Sequence, residues 1–178
     1  TVQSEDEKFF WLAEYLPKLK KTGIVYTGTQ ANTDIFSNWL QFLKFNSAAY
    51  SGRLDAESRM RVESDFIKSK YDCVVSTNAL GMGIDKPDIR FIIHTQVPQS
   101  PIHYYQEIGR AGRDGQEAFA ILLYNPNEDA ELPRAFIDGS KPAVAKYEKV
   151  IAVTKKALLG RNEIIKATNL KQTQVSVI

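Results

Sequence analysis

Two periodicities alternate along this chain. Short apolar runs, most of them rich in β-branched residues, occur at Ile24–Thr27, Ser47–Tyr50, Cys73–Thr77, Phe91–His94 and Ala118–Tyr124. Their length and composition predict strands. Between them apolar residues recur at helical spacing. Ser4 opens the first helix as a capping box, with Glu7 returning to the Ser4 amide and Phe9, Phe10, Leu12, Leu16 and Leu19 behind it. Lys18, Lys20 and Lys21 suit its negative end, and Gly23 terminates it. Beyond the turn Gly28-Thr29-Gln30, a helix from Asn32 carries Ile35, Phe36, Trp39, Leu40 and Leu43. Asp55 caps a third, with Glu57 in its first turn and Met60, Phe66 and Ile67 facing inward. Ser100 opens a fourth. If that helix continues to Arg113, then Gln106, Arg110 and Arg113, at i, i+4 and i+7, share one face and Gly109 and Gly112 oppose it.

Strands separated by helices of about ten residues or more imply right-handed crossovers, hence a mostly parallel sheet with helices on both faces. Five strands at this spacing make a RecA-like α/β layer. The texture changes after Tyr124. Asn125-Pro126-Asn127 opens a short helix interrupted or restarted at Pro133, and Gly139-Ser140-Lys141-Pro142 has the composition of a linker. Pro142 suits the first turn of a helix ending at Gly160. Asn162 then caps Glu163–Ala167, Thr168-Asn169-Leu170 forms a turn, and another helix starts at Gln172. With Ile164, Ile165, Ala167, Leu170, Val175 and Ile178 apolar, this all-α stretch reads as the start of a helix-turn-helix or winged-helix element. The expected division is residues 1–139 for the α/β domain and 140–178 for a helical linker and the opening of that truncated second element.

Composition narrows the function classes only slightly. Of 178 residues 43% are hydrophobic, enough for a core. No apolar run approaches the ~18 residues of a membrane helix, and the polar, acidic amino end does not read as a leader. The single cysteine, Cys73, can form neither a disulfide nor a cysteine-rich zinc site within the chain. An intracellular protein is expected, cytoplasmic in a prokaryote and nuclear in a eukaryote. A net charge of +2 does not by itself mark a nucleic-acid binder, so any DNA contact must come from local clustering.

Two stretches hold the candidate chemistry. Ser76-Thr77-Asn78-Ala79-Leu80-Gly81-Met82-Gly83-Ile84-Asp85-Lys86-Pro87-Asp88 is a glycine-rich loop following the central strand, at the carboxyl end where open α/β sheets bind ligands. Gln106-Glu107-Ile108-Gly109-Arg110-Ala111-Gly112-Arg113-Asp114-Gly115 holds two arginines, permanently charged planar donors that grip phosphate oxygens bidentately. A glycine in a helix interior costs about 1 kcal/mol relative to alanine. Close approach of backbone to a ligand or another domain is the better reason for Gly109 and Gly112.

The first stretch resembles motif V, and the second motif VI, of the superfamily-two helicases in their RecQ form. Tyr26-Thr27-Gly28-Thr29-Gln30 resembles motif IV, although that family more often has arginine where Gln30 stands. Ala49-Tyr50-Ser51-Gly52-Arg53 resembles a family loop that has histidine at the place of Ser51. The resemblance spans residues 24–124. The four-cysteine zinc module that many members carry next has no counterpart here, which leads to the expectation of direct passage to a winged helix.

The resemblance implies the second RecA-like domain of a motor. Arg113 and Arg110 would be the catalytic residues, reaching the γ-phosphate of ATP with Arg113 as arginine finger. Gly83, Asp85 and Gln106 would touch ATP, Asp85 accepting from the ribose hydroxyls. Thr29, Ser51, Arg53, Thr77 and Asn78 would contact the DNA backbone, a kind of contact that positions without reading sequence. Each has a plainer reading. The arginines could pair with Glu107, Asp114 or Glu117 on the surface, Asp85 could bond its own turn, Thr77 and Asn78 could cap a strand, and Arg53 could be solvated. His94 reads as a satisfied core histidine, and Tyr104 and Tyr105 as helix packing. No G-x-x-x-x-G-K-S/T phosphate cradle occurs. ATP and Mg²⁺ would therefore be held mainly by an upstream RecA-like domain of the same polypeptide, with no metal or zinc site in this chain, and the chain alone would be inactive. The expected function is the C-terminal motor domain of an ATP-dependent 3′–5′ DNA helicase, acting on single-stranded or partly duplex DNA in repair and recombination, with no membrane partner. The alternative is a non-catalytic nucleic-acid-binding or protein-docking module on the same fold. Intact Gln106, Arg110 and Arg113 favour the motor.

Overall fold

Ile24, Val25, Val74, Val75, Ile92 and Ile93 have no solvent exposure, because the strands that hold them are covered on both faces. A computed structural model of the chain describes residues 1–19, 22–80, 84–129, 143–155, 159–172 and 175. The chain divides into two compact units, residues 1–133 and 134–178. The first contains α1 (Glu5–Tyr15), β1 (Gly23–Tyr26), α2 (Gln30–Phe42), β2 (Ser47–Tyr50), α3 (Ala56–Ile67), β3 (Cys73–Ser76), β4 (Phe91–His94), α4 (Pro101–Ile108) and β5 (Phe119–Leu122). All five strands pair in parallel, in the order β2-β3-β1-β4-β5, with Ile24 opposite Val74 and Ile92. This is the expected parallel layer.

Successive strand residues alternate between the faces. Val25, Cys73, Val75, Phe91 and Ile93 pack with Leu12 and Leu16 on one side and Phe36 and Leu40 of α2. Ile24, Tyr26, Val74 and Ile92 pack on the other with Phe66 of α3, Leu80, Ile84 and Ile89, and with Ile108 at the end of α4. Burial above all, and then Asp72, pushes the Cys73 thiol up to about 12, as suits a packing residue rather than a nucleophile.

Local signals place the helices with small shifts. Ser4 caps α1 by accepting from the Glu7 amide at 3.3 Å, but the Glu7 carboxylate reaches past Ser4 to the Gln3 amide at 2.6 Å. Thr29 caps α2, so that helix begins at Gln30, two residues ahead of Asn32. Of the three α3 residues expected inside, only Phe66 is; Met60 and Ile67 are exposed. Ile35 is exposed as well, and with Phe10, Phe42, Phe9 and Trp39 it lines an open groove between α1 and α2. The sheet needs one apolar stripe from each helix, and α1 and α2 carry more apolar residues than that stripe holds.

Gly23 does not terminate α1 but starts β1, paired with Cys73 and Phe91. A Cβ at this position would fall 2.2 Å from the Phe91 ring, itself buried. Gly23→Ala is therefore expected to destabilise the fold by about 1–3 kcal/mol through overpacking. Denaturant unfolding checks this, and an unchanged midpoint would show that the ring has room to move.

The second unit contains α5 (Val144–Thr154) and α6 (Arg161–Thr168). Helix α5 ends at Thr154, short of the expected Gly160. Gly160 is instead the N-cap of α6, its amide donating to Glu163 Oε2 at 2.7 Å, so Asn162 lies inside the helix. Asn169, at φ 53°, ends α6 in the left-handed conformation that asparagine tolerates, forming the expected turn before buried Leu170. The short helix expected after Asn125 is a turn over its described residues, with the Asp129 amide donating to the Asn125 carbonyl at 3.0 Å. Lys20, Lys21, the restart at Pro133, the linker Gly139–Pro142 and Ile178 lie outside the described residues.

Candidate functional site

Parallel pairing brings the carboxyl ends of the strands to one rim. Thr29 follows β1, Ser51 and Arg53 follow β2, and Thr77 and Asn78 follow β3. Because β3 lies between β2 and β1, these five residues leave three adjacent strands. Three of their hydroxyls also have local duties. That of Thr29 accepts from the Asn32 amide at 3.2 Å, that of Thr77 from the Ala79 amide at 3.3 Å, and that of buried Ser51 from the Arg53 amide at 3.4 Å. Arg53 and Asn78 are exposed. Two further residues shape this rim. Gln96 accepts from the Gly28 amide at 2.6 Å, tying the loop after β1 to the end of β4. The Tyr50 hydroxyl donates to Glu63, and burial first, then that bond, pushes the phenol up to about 12.

The second group is built differently from the sequence expectation. Helix α4 ends at Ile108 with Gly109 as its cap, so Gln106, Arg110 and Arg113 do not share a helix face. The chain leaves the helical path by Gly112, at φ 64°, where a Cβ would lie 2.9 Å from the Gln116 carbonyl. The Gly112 amide donates to the Ile89 carbonyl at 3.0 Å and the Asp114 amide to the Pro87 carbonyl at 3.3 Å. The close approach that Gly112 permits is thus to this chain's own 85–90 segment.

Arg90, unnoticed in the sequence, clasps the two stretches together. Its Nη2 donates to both Asp114 oxygens at 2.6 Å, its Nη1 to the Glu117 carbonyl and its Nε to the Asp88 carbonyl. Buried Lys86 anchors the same segment, donating to Ser69 Oγ at 2.7 Å and pairing with Asp88 at 3.0 Å. Neither gave a sequence signal beyond a basic residue in the segment before β4. The bond from Arg90 holds the Asp114 carboxyl below the usual carboxylate range. A depressed folded-state pKa contributes stability that is complete above the unfolded value, about 4, and is lost as pH falls through the folded one. Asp114→Asn should therefore lower the melting temperature at pH 7 and narrow its gap to wild type below about pH 4. Melting curves at both pH values check this, and a gap that persists in acid would contradict it.

Arg113 Nη1 lies 3.2 Å from Asp85 Oδ1, and its Nε donates to the Gly109 carbonyl. Asp85 therefore pairs across the two stretches rather than with its own turn. Their side chains are 42% and 88% exposed, and an ion pair in that setting is worth about 0–1 kcal/mol. None of the three acids expected to neutralise the arginines is seen doing so with its side chain: Asp114 is held by Arg90, the Glu117 contact is through its carbonyl, and Glu107 is 2.8 Å from His94. Arg110 is half-buried beside the phenol of Tyr26, and its Nε is buried with no hydrogen-bond partner among the described residues. The Tyr26 hydroxyl donates to the Leu80 carbonyl at 3.1 Å, joining this group to the loop after β3. Gln106 is exposed, and Gly83 lies outside the described residues.

A parallel five-stranded sheet, with polar loops on its carboxyl rim and an arginine-bearing turn clasped to one of them, defines a RecA-like α/β domain. Residues 7–115 match the helicase conserved C-terminal domain, and the chain belongs to that family. It is 37% identical over 152 residues to the probable ATP-dependent DNA helicase RecS of Bacillus subtilis, covering 84% of this chain and 30% of that protein. To the ATP-dependent DNA helicase RecQ of Synechocystis it is 36% identical over 132 residues, covering 74% and 26%. Both relatives bear out the RecQ resemblance, and the chain spans less than a third of either. The fold is also that of the E. coli DEAD-box protein SrmB, with a TM-score of 0.67 at 22% identity over 72% of this chain and 76% of that one.

Proposed function

We propose that this chain is the C-terminal motor domain of an ATP-dependent DNA helicase that moves 3′ to 5′ in DNA repair and recombination. It would work inside the cell on single-stranded or partly duplex DNA, beside an upstream RecA-like domain of the same polypeptide. The observation that carries the reading is the Asp85–Arg113 pair. Two stretches 28 residues apart meet through exposed charges that hold each other weakly, while the neighbouring acids are occupied elsewhere.

The donor set fits a nucleotide. Arg113 is free to leave Asp85 for a stronger anion, and Arg110 has a buried N–H without a partner. ATP, when bound, supplies the γ-phosphoryl group and its developing charge. Arg113 and Arg110 offer that charge planar bidentate donors, and Asp85, once released, is free to accept from ribose hydroxyls. Gln106 and Gly83 belong to the same contact in this reading. Mg²⁺ belongs with the upstream domain in this reading. Thr29, Ser51, Arg53, Thr77 and Asn78 would track the DNA backbone along the carboxyl rim.

The chain alone should hydrolyse no ATP above a buffer blank and should bind single-stranded DNA weakly. Its log affinity should fall against log salt by about 0.7 for each phosphate contacted, without sequence preference. Fluorescence anisotropy across a salt series tests this. Salt-insensitive or sequence-selective binding would favour a docking module instead.

A further inference from the structure

We propose that His94 is a positioning residue for Arg110, acting through Glu107; this rests on the role assigned to Arg110 above. His94 ends β4 and has 1% exposure. Its ring stacks on Tyr26, with centroids 5.2 Å apart, and is tilted against Tyr104 at 5.1 Å. Its Nε2 faces Glu107 Oε2 at 2.8 Å, and a carboxylate there can only accept, so Nε2 donates. Glu107 lies on the inner side of α4, 8% exposed, in the last turn before Gly109 ends the helix. Glu107 and Arg110 both lie beside buried Tyr26, and the Arg110 amide donates to the Glu107 carbonyl at 3.2 Å, which keeps carboxylate and guanidinium in the same neighbourhood.

Arg110 is beyond the end of α4, so helical periodicity does not aim its side chain. Two opposite charges share the pocket, yet no ion pair joins them: Glu107 is taken by His94, and Arg110 Nε is left without an acceptor. A buried carboxylate stripped of its donor would seek the nearest spare one. Arg110 Nε, buried without a partner beside the same Tyr26, is such a donor. His94 thus keeps Glu107 from capturing Arg110, and Arg110 stays available to the phosphate. A packing role for His94 would be served by any aromatic ring between Tyr26 and Tyr104. The positioning role requires the N–H.

The test is steady-state hydrolysis by the full-length protein at saturating single-stranded DNA, with thermal melting confirming folded protein at the assay temperature. His94→Phe keeps the ring and removes the donor. It should lower kcat by about tenfold to a hundredfold, the scale of a misplaced catalytic group, with KM for ATP nearly unchanged. His94→Gln, whose amide can donate from the place of Nε2, should retain most of the turnover. Adding Glu107→Gln to His94→Phe should restore turnover, because a neutral amide does not draw the guanidinium; a merely structural pair would worsen. In an Arg110→Ala background His94→Phe should have no further effect. His94→Leu is the second donor-free variant if the Phe variant does not fold. Wild-type kcat in the donor-free protein, or a loss that persists undiminished without Arg110, overturns the proposal. Arg110→Ala at wild-type turnover overturns it too, by removing the function of Arg110 itself, whereas Arg110→Ala inactive beside a fully active donor-free variant overturns the positioning role alone.

Discussion

Arg113→Ala in the complete protein is expected to lower DNA-stimulated kcat by about 10³ to 10⁵, the range of arginine fingers in phosphoryl transfer. In the proposed role the side chain acts mainly in the transition state. Its ground-state partners are an exposed carboxylate and one carbonyl, neither of which holds it firmly. For the same reason the fold should survive, since Arg90, Lys86 and the backbone bonds of Gly112 hold the two stretches together without Arg113. DNA affinity should also remain, because the rim residues proposed to contact DNA, after β1, β2 and β3, are untouched. Arg113→Lys should rescue poorly, since an ammonium cannot reproduce the bidentate fork. Steady-state hydrolysis with saturating single-stranded DNA, beside melting curves, measures this. A variant that keeps more than about a tenth of wild-type kcat, a loss under about 1.4 kcal/mol, would pass the finger role to Arg110.

Asp129→Ala should cost the first unit about 3 kcal/mol, the lower part of the range for breaking a buried ion pair. Lys8 and Asp129 are both fully buried and lie 2.8 Å apart. Asp129 also accepts from the Asn125 amide at 2.7 Å, and the Val2 amide donates to the Tyr124 carbonyl at 2.9 Å, so this cluster sews α1 to the segment after β5. Removing Asp129 leaves the Lys8 ammonium buried with only Glu5, whose side chain is 36% exposed, to answer it. Replacing both charges, Lys8→Met with Asp129→Asn, should recover most of the loss while keeping an acceptor for Asn125. Urea unfolding of both variants beside the wild type decides it. A loss under about 1 kcal/mol for Asp129→Ala would class the pair with exposed ones.

Arg90 and Lys8 share a property that separates them from everything the sequence made legible. The strands and their order of appearance could be read because aliphatic and β-branched residues cluster at strand length whatever they later pair with. Ser4, Asp55 and Ser100 announced their helices because a cap bonds an amide only three residues away. The motif stretches were legible for a similar reason, since a loop that serves one ligand keeps its residues together in sequence. Where a signal depended on partners elsewhere, the reading failed. Helical spacing from Gln106 to Arg113 did not survive because α4 ends at Ile108 and Gly112 then turns the chain onto Ile89. Gly23 resembled a helix stop because nothing local reveals that the ring of Phe91, 68 positions on, lies over it. Met60 and Ile67 belong to the apolar complement of α3, but the sheet accepts only the stripe that holds Phe66. Lys8 carries no local sign of burial, because its partner Asp129 is 121 residues away. Local geometry and composition are properties of the chain, and they determined the elements, their caps and the candidate residues. Which charges are buried, which acid meets which arginine, and which way the arginines are aimed depend on desolvation and pairing across the fold, and those the tertiary structure alone decided.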